Sequence, residues 1–307
     1  AMFVGGCVRK YILGEKVDDI DIATIFNPDE IKEKFKNTEV KIIETGIEHG
    51  SITLILNNHK FEITTLRKDI NTDGRHAEVS FTDNWQLDSE RRDFTFNAIY
   101  LDRKGKIFDP QLGLKDLKRG IVKFIGDPNK RIEEDYLRII RFIRFSLQYD
   151  HNDFEKSTLD AIKLNLNGIK NLSKERIFNE LLKILSLKKF VKIINKDKLR
   201  NIFSLIFPEL KYLDRMNKFQ YLPDDFTIDT VVLLGVLLID KSNNFEYFCH
   251  KYKVSNELKN KLSNLSELFI KFQKDDQFFK KNIKRYAYYS GKNNLIDLNQ
   301  LIFFLEK

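Results

Sequence analysis

Two short stretches, Gly5-Gly6-Cys7-Val8-Arg9-Lys10 and Asp19-Ile20-Asp21-Ile22-Ala23-Thr24, decide how the first part of the chain is read. Ile20 to Ile25 alternates as a strand does. Alternation puts Asp19 and Asp21 on one face, close enough together to hold a pair of Mg2+ ions. Two such ions can activate an attacking 3′-hydroxyl and stabilise a leaving pyrophosphate. Upstream, the glycine pair lets backbone N–H groups approach a phosphate and Arg9 adds a fixed positive charge; a following helix would turn its N-terminus to the same anion. Each stretch alone has an ordinary reading, a solvated strand edge for the acids and a turn for the glycines. Their joint spacing is the informative part.

Working outward, Ser51 to Leu56 and Lys60 to Thr65 pair as a hairpin across Asn57-Asn58-His59. Glu62 lies on the face of Thr64, opposite Phe61 and Ile63, and is either a third carboxylate for the metal pair or an exposed strand residue. Arg91-Arg92-Asp93-Phe94-Thr95-Phe96-Asn97-Ala98 then packs cations, a carboxylate and an amide around apolar positions. Asp93 and Asn97 can exchange hydrogen bonds with ribose hydroxyls while the guanidinium groups hold phosphate or base; a helix start with an Asp cap fits the segment equally. In Glu134-Asp135-Tyr136-Leu137-Arg138-Ile139-Ile140-Arg141-Phe142-Ile143-Arg144-Phe145, the residues Asp135, Arg138, Arg141 and Arg144 recur at helical spacing along one side. Asp and Arg present an acceptor and forked donors to a base edge, although a salt-bridged solvent face has the same spacing.

The 307 residues suffice for two or three compact units, and 42% hydrophobic with 32% charged residues excludes wholesale disorder. Lys and Arg outnumber Asp and Glu by 53 to 45, and the net charge of +8 suits a polyanionic partner. Lys and Asn richness also arises from skewed genomic base composition, so the charge is permissive only. Cys7 and Cys249 form no CxxC pair, which argues against a disulfide framework or a cysteine zinc site and fits a reducing cytoplasm. No apolar run approaches the roughly 20 residues of a membrane span, and no signal pattern opens the chain. A soluble, cytoplasmic protein is expected. Ala1-Met2-Phe3-Val4, directly against the glycines, reads as a strand whose upstream neighbour is missing, compatible with a trimmed start. From about Asn129 onward the pattern turns helical. Gly126-Asp127-Pro128 marks the boundary, because Pro128 disfavours helix at Asp127 and can itself start one. Ser173 reads as an N-cap, Val231 to Asp240 and Leu258 to Phe272 read as helices, and Pro223-Asp224-Asp225 as a turn before them.

Taken together, and over residues 3 to 185, these segments resemble the class II tRNA nucleotidyltransferases, the bacterial CCA-adding enzymes, and their poly(A) polymerase relatives. The resemblance implies an α+β fold, with a polymerase-beta-like nucleotidyltransferase head on a mixed sheet followed by an all-α neck, body and tail. The expected divisions are 1–125, 126–190 and 191–307. It implies Mg2+ at Asp19 and Asp21 with Glu62 beside them, triphosphate contacts at Gly5, Gly6 and Arg9, and nucleotide contacts at Arg92, Asp93 and Asn97. Asp135 and Arg138 would pair with the incoming CTP or ATP in place of a nucleic-acid template, with Arg141 and Arg144 continuing that face. Asp109-Pro110 with Gly113 and Asp116-Leu117 is similar to the family's hinge motif. Lys174-Glu175-Arg176-Ile177-Phe178-Asn179-Glu180-Leu181 is similar to its last motif, which braces the neck helices. Arg67-Lys68-Asp69 through Asp73-Gly74-Arg75-His76 resembles the loop used in switching to ATP. Lys10 departs from the family, which usually has Asp there. The implied activity is addition of C, C and A to a tRNA 3′ end with release of pyrophosphate. Poly(A) addition and a catalytically silent RNA-binding protein are the alternatives. Partners are tRNA, CTP and ATP; no membrane and no obligate protein partner are indicated. Phosphate contacts along the helical part should weaken with salt.

Overall fold

The computed structural model describes residues 1–72, 77–223, 226–240 and 242–305. The first half of the chain runs β1 (Met2–Val4), α1 (Gly6–Ile12), β2 (Ile20–Thr24), α2 (Pro28–Phe35), β3 (Lys41–Gly46), β4 (Ser51–Leu56), β5 (His59–Thr65), β6 (Arg67–Thr72), β7 (Ala77–Phe81), α3 (Trp85–Glu90), β8 (Tyr100–Leu101), β9 (Ile107–Phe108) and α4 (Gly113–Lys118). Then come α5 (Pro128–Glu134), α6 (Leu137–Gln148), α7 (Lys156–Asn165), α8 (Lys174–Leu185), α9 (Asp197–Ile206), α10 (Thr230–Leu238), α11 (Asn244–Tyr252), α12 (Asn256–Lys274), α13 (Asp276–Lys281), α14 (Ile283–Ser290) and α15 (Lys292–Leu305). This is the expected α+β order: a mixed sheet first, helices after. Among the described residues no helix is long and apolar enough to cross a membrane.

Seven strands form one sheet in the order β3-β4-β5-β2-β1-β8-β9, in which β2 and β5 run parallel and the other neighbours antiparallel. The β4–β5 hairpin forms where the sequence indicates, closed by Asn57 and Asn58 at φ 48° and 64°. Asn tolerates this left-handed conformation, which the tight turn requires at both positions. His59 opens β5 opposite Leu56 rather than belonging to the turn.

Register assigns the two faces. Ile22, Ile63 and Ile52 align across β2, β5 and β4 and belong with Ile31 of α2 and Leu54 to one apolar cluster. The adjacent row, Asp21, Glu62 and Thr53, therefore projects from the opposite face. Helix α2 is seated by Asn27, which accepts from the Glu30 N–H at 2.9 Å while its own N–H donates to Glu30 Oε2 at 2.8 Å.

Asp127 accepts from the Lys130 N–H at 2.9 Å and Pro128 is the first residue of α5, so this helix starts where the proline signal puts it. Ser173 likewise caps α8 through the Arg176 N–H. One expectation is corrected. Asp135 is not on the helix carrying Arg138, Arg141 and Arg144: it has φ −157° and ψ 103°, ends α5, and accepts from the Leu137 N–H ahead of α6. Asp satisfies exposed N–H groups at a helix start better than it continues a helix, and the break follows. Of the turn read at Pro223-Asp224-Asp225, the two acids lie outside the described residues.

The residues group into two compact units, 1–142 with 151–168, and 143–150 with 169–307. The three-part division at 126 and 191 is a separate matter of function and stays a proposal. Within the second unit α10 is apolar on every side, and Val232 to Leu238 are all buried. A Cβ added to Gly235 would come 2.9 Å from Leu265, so glycine lets α12 approach closely.

Candidate active site

The Asp21–Glu62–Thr53 row is the polar centre of the sheet. Burial raises the Asp21 carboxyl above the ordinary range; the negative charges of Glu62 and Asp19 push the same way, while Arg92 and Arg9 oppose them. Asp19 stands one residue before β2 and is exposed, so strand alternation does not itself fix its side chain. Burial first, and then the facing Glu62, disfavour ionisation of Asp21, and a divalent cation would relieve both. Among the described residues no three of His, Cys, Asp and Glu close on one point as a metal cage. Mg2+ is commonly held by one or two carboxylates with substrate phosphates completing the shell, a requirement that Asp21, alone or with Asp19, has the donor chemistry to meet.

Gly5 turns the chain from β1 into α1 at φ 73°, and a Cβ there would lie 3.6 Å from Asp21 Oδ2 and 4.0 Å from Arg92 Nη1. The glycine turn, the central carboxylate and an arginine thus meet at one place. A Cβ on Gly6 would meet no protein atom within 4 Å, so the space beside it is open to a ligand.

From Arg9 a chain of contacts crosses the first unit. The buried Arg9 donates through Nη1 to Asn97 Oδ1, and Asn97 Nδ2 donates to Asp93 Oδ1 at 2.8 Å. Asp93 Oδ2 receives Arg141 Nε at 2.7 Å and Nη2 at 2.6 Å. Burial pushes the Asp93 carboxyl up, but Arg141, Asn97 and Arg138 outweigh it and bring it down to about 2. Beneath this chain, Thr95 donates to Asp116 Oδ2 at 2.7 Å, and Asp109 accepts from the Gly113 and Leu114 N–H groups at 2.8 Å each. The hinge-motif residues therefore brace the 93–97 segment.

Arg92 is held from the other side. Its Nε and Nη2 donate to Asp88 Oδ2 at 3.3 and 3.0 Å, and Nε also reaches the Tyr100 hydroxyl at 3.2 Å. Arg91 takes Asp88 Oδ1 at 2.8 Å. Burial would raise the Asp88 carboxyl, yet Arg92 and Arg91 carry it down to about 2. Asp88 is a residue that sequence reasoning missed. Its signal was present, since it precedes Arg91 and Arg92 by three and four residues, the helical spacing for ion pairs.

The comparisons with known proteins bear on these same segments. Residues 1–123 match the Poly A polymerase head domain, and residues 153–213 match the probable RNA and SrmB-binding site of polymerase A. The CCA-adding enzyme of Streptococcus mutans is 35% identical over 296 residues, 94% of this chain and 71% of that protein. The chain belongs to the CCA-adding enzyme and poly(A) polymerase family. The mitochondrial CCA tRNA nucleotidyltransferase 1 of zebrafish (Danio rerio) is 45% identical over 184 residues, 59% of this chain. That match spans 43% of the zebrafish protein's length. In fold, the chain resembles the Bacillus stearothermophilus CCA-adding enzyme crystallised with CTP, with a TM-score of 0.79 at 23% identity, covering 100% of this chain and 74% of that one.

The remaining motif residues of the family have their own partners. Arg138 donates to Glu134 Oε2 at 2.6 Å, to the Arg131 carbonyl at 2.7 Å and to the Arg91 carbonyl at 3.2 Å, so it is fixed between α5 and the 91–97 segment. Arg144 lies in the second unit, where Nε stands 3.2 Å from the buried Glu180 Oε2 of α8, within the segment read as the bracing motif. The structure thus brings Gly5, Arg9, Asp21, Glu62, Arg92, Asp93, Asn97, Arg138 and Arg141 into the first unit and gives Arg144 a separate partner. Lys10, the departure noted in the opening motif, pairs with Asp18 at 3.0 Å on the surface. Of the loop from Arg67 to His76, residues 67–69 lie on β6, and Asp73-Gly74-Arg75-His76 lie outside the described residues.

Proposed function

We propose that the chain adds C, C and A in turn to the 3′ end of a tRNA, using CTP and ATP and releasing pyrophosphate. The observation that carries this reading is the meeting of Asp21, Glu62, Gly5 and Arg92 at one end of β2, in a chain whose kinship with CCA-adding enzymes runs over most of its length. Asp19 and Asp21 would hold Mg2+, with Glu62 as the neighbouring carboxylate. When bound, the metal lowers the pKa of the attacking 3′-hydroxyl and offsets charge on the leaving pyrophosphate.

The protein's own groups do the rest. Gly5 and Gly6 leave room for the triphosphate against the backbone, and Arg9 and Arg92 supply fixed positive charge. Asp93 and Asn97 would exchange hydrogen bonds with the ribose. Asp135, at the end of α5, and Arg138 would present an acceptor and a fork to the base edge, and Arg141 and Arg144 would extend the basic side of α6. On this reading residues 1–125 are the catalytic head, 126–190 the base-reading neck and 191–307 the tRNA-binding body and tail. A cytoplasmic site of action belongs to this reading and agrees with the reduced, buried Cys7 and Cys249.

The test is incorporation of CTP and ATP, separately and together, into a tRNA lacking its CCA end, with Mg2+ present. Two C residues from CTP and one terminal A only after them are expected. Repeated A addition without prior C would establish poly(A) addition instead, and tRNA binding without incorporation would establish a silent binder.

A further inference from the structure

Arg92 divides its donors between two directions. Nε and Nη2 are taken by Asp88 Oδ2 and the Tyr100 hydroxyl, and the guanidinium lies over the Tyr100 ring at 5.3 Å. Nη1 is left on the opposite edge, facing the Gly5 turn and Asp21. A guanidinium is planar with its donors in a fixed fork, so a partner that grips one edge sets the direction of the other.

Asp88 has the means to do this. It is 0% exposed, and its two oxygens receive Arg91, Arg92, the Tyr100 hydroxyl at 2.7 Å and the Arg67 N–H at 3.3 Å. Tyr100 reaches it from β8 of the seven-stranded sheet and Arg67 from β6, which pairs with β7 in a separate two-stranded sheet, so its position is set by strands of both as well as by α3. One carboxylate facing two guanidiniums also leaves this group with a net positive charge, which an anion arriving from the Gly5 side would meet. We infer that Asp88 is a positioning residue that aims Arg92 Nη1 at the triphosphate subsite beside Gly5 and Asp21. The inference rests on the nucleotidyltransferase reading above and deepens it.

The experiment measures equilibrium binding of CTP and of CMP, each with Mg2+, to the full chain and to D88N, R92A and the double variant. The D88N protein should lose about tenfold in CTP affinity, in the range seen when supporting residues around a site are removed. Its CMP affinity should stay within twofold. In the double variant the CTP loss should match that of R92A alone, because Asp88 acts only through Arg92. Equal losses for CTP and CMP, or additive losses in the double variant, would make Asp88 a structural residue and overturn the inference. If D88N does not fold, Tyr100→Phe decides: it removes the hydroxyl from Asp88 and Arg92 while keeping the ring, and should weaken CTP two- to threefold and leave CMP unchanged. No CTP-specific loss there would overturn the inference as well. A wild-type chain that binds no CTP would instead remove the reading beneath it.

Discussion

Asp21 serves two opposed demands. Folding half-buries it in register with Glu62 and near Asp19, and like charges brought together out of water cost stability. The proposed chemistry needs that same crowding to attract a divalent cation. The Asp21→Asn variant should therefore gain stability, with Tm up by about 2 °C, while incorporation falls at least about a hundredfold. Added Mg2+ should raise the Tm of the wild type and leave that of the variant unmoved. An Asn variant that keeps incorporation within threefold would remove Asp21 from the metal site. Asp21 and Glu62 are legible in the sequence alone because strand alternation sorts residues by face with no tertiary information. For Asp88 the spacing to Arg91 and Arg92 signals an ion pair but not a buried one, because charges on a helix surface recur at the same spacing. Its burial depends on Tyr100 and Arg67 arriving from other elements.

Helix α4 shows how an element with no reactive group sets a site. A Cβ on Gly113 would sit 2.1 Å from the Thr95 carbonyl oxygen, so α4 touches the 95–97 turn through its backbone. Gly113→Ala should push the two apart at a cost of at least about 1–3 kcal/mol. The urea midpoint should fall, and because Asp93 and Asn97 flank Thr95, KM for the nucleotide should rise with it. An unchanged midpoint would mean that the contact yields freely. Elements with local signals are legible: the Asn57-Asn58 turn, the Asn27 capping box, and the Asp127-Pro128 and Ser173 starts. The break at Asp135 is not, since helical spacing continues through it. What ends the helix there is the aspartate's own N–H acceptance, together with Tyr136, whose ring lies where a Cβ on Gly168 would be, 2.2 Å away. A contact from thirty-odd residues downstream leaves no trace in local periodicity.

For the molecule as a whole, charge balance ties the site to acid stability. At pH 7 the chain carries +8 from 53 basic and 45 acidic residues, so protonating its carboxylates leaves a strongly cationic, self-repelling chain. Asp88 and Asp93 sharpen the loss, because both are buried against arginines and both sit at about 2. Their unfolded value is about 3.9, above the folded one. The unfolded chain thus takes up these two protons first, and the stability they contribute is fully present above about pH 4. That stability disappears as pH falls through 4 towards 2, at roughly 2 kcal/mol for each group. Burial of the paired arginines opposes any rescue, since a neutral Asp88 leaves Arg91 and Arg92 enclosed without a counter-charge. Urea midpoints taken at constant ionic strength should be nearly level from pH 7 to 5 and drop steeply between 4 and 2.5. A midpoint that stays level down to pH 2.5 would show that neither carboxylate is bound to its arginines in solution as the structure has them.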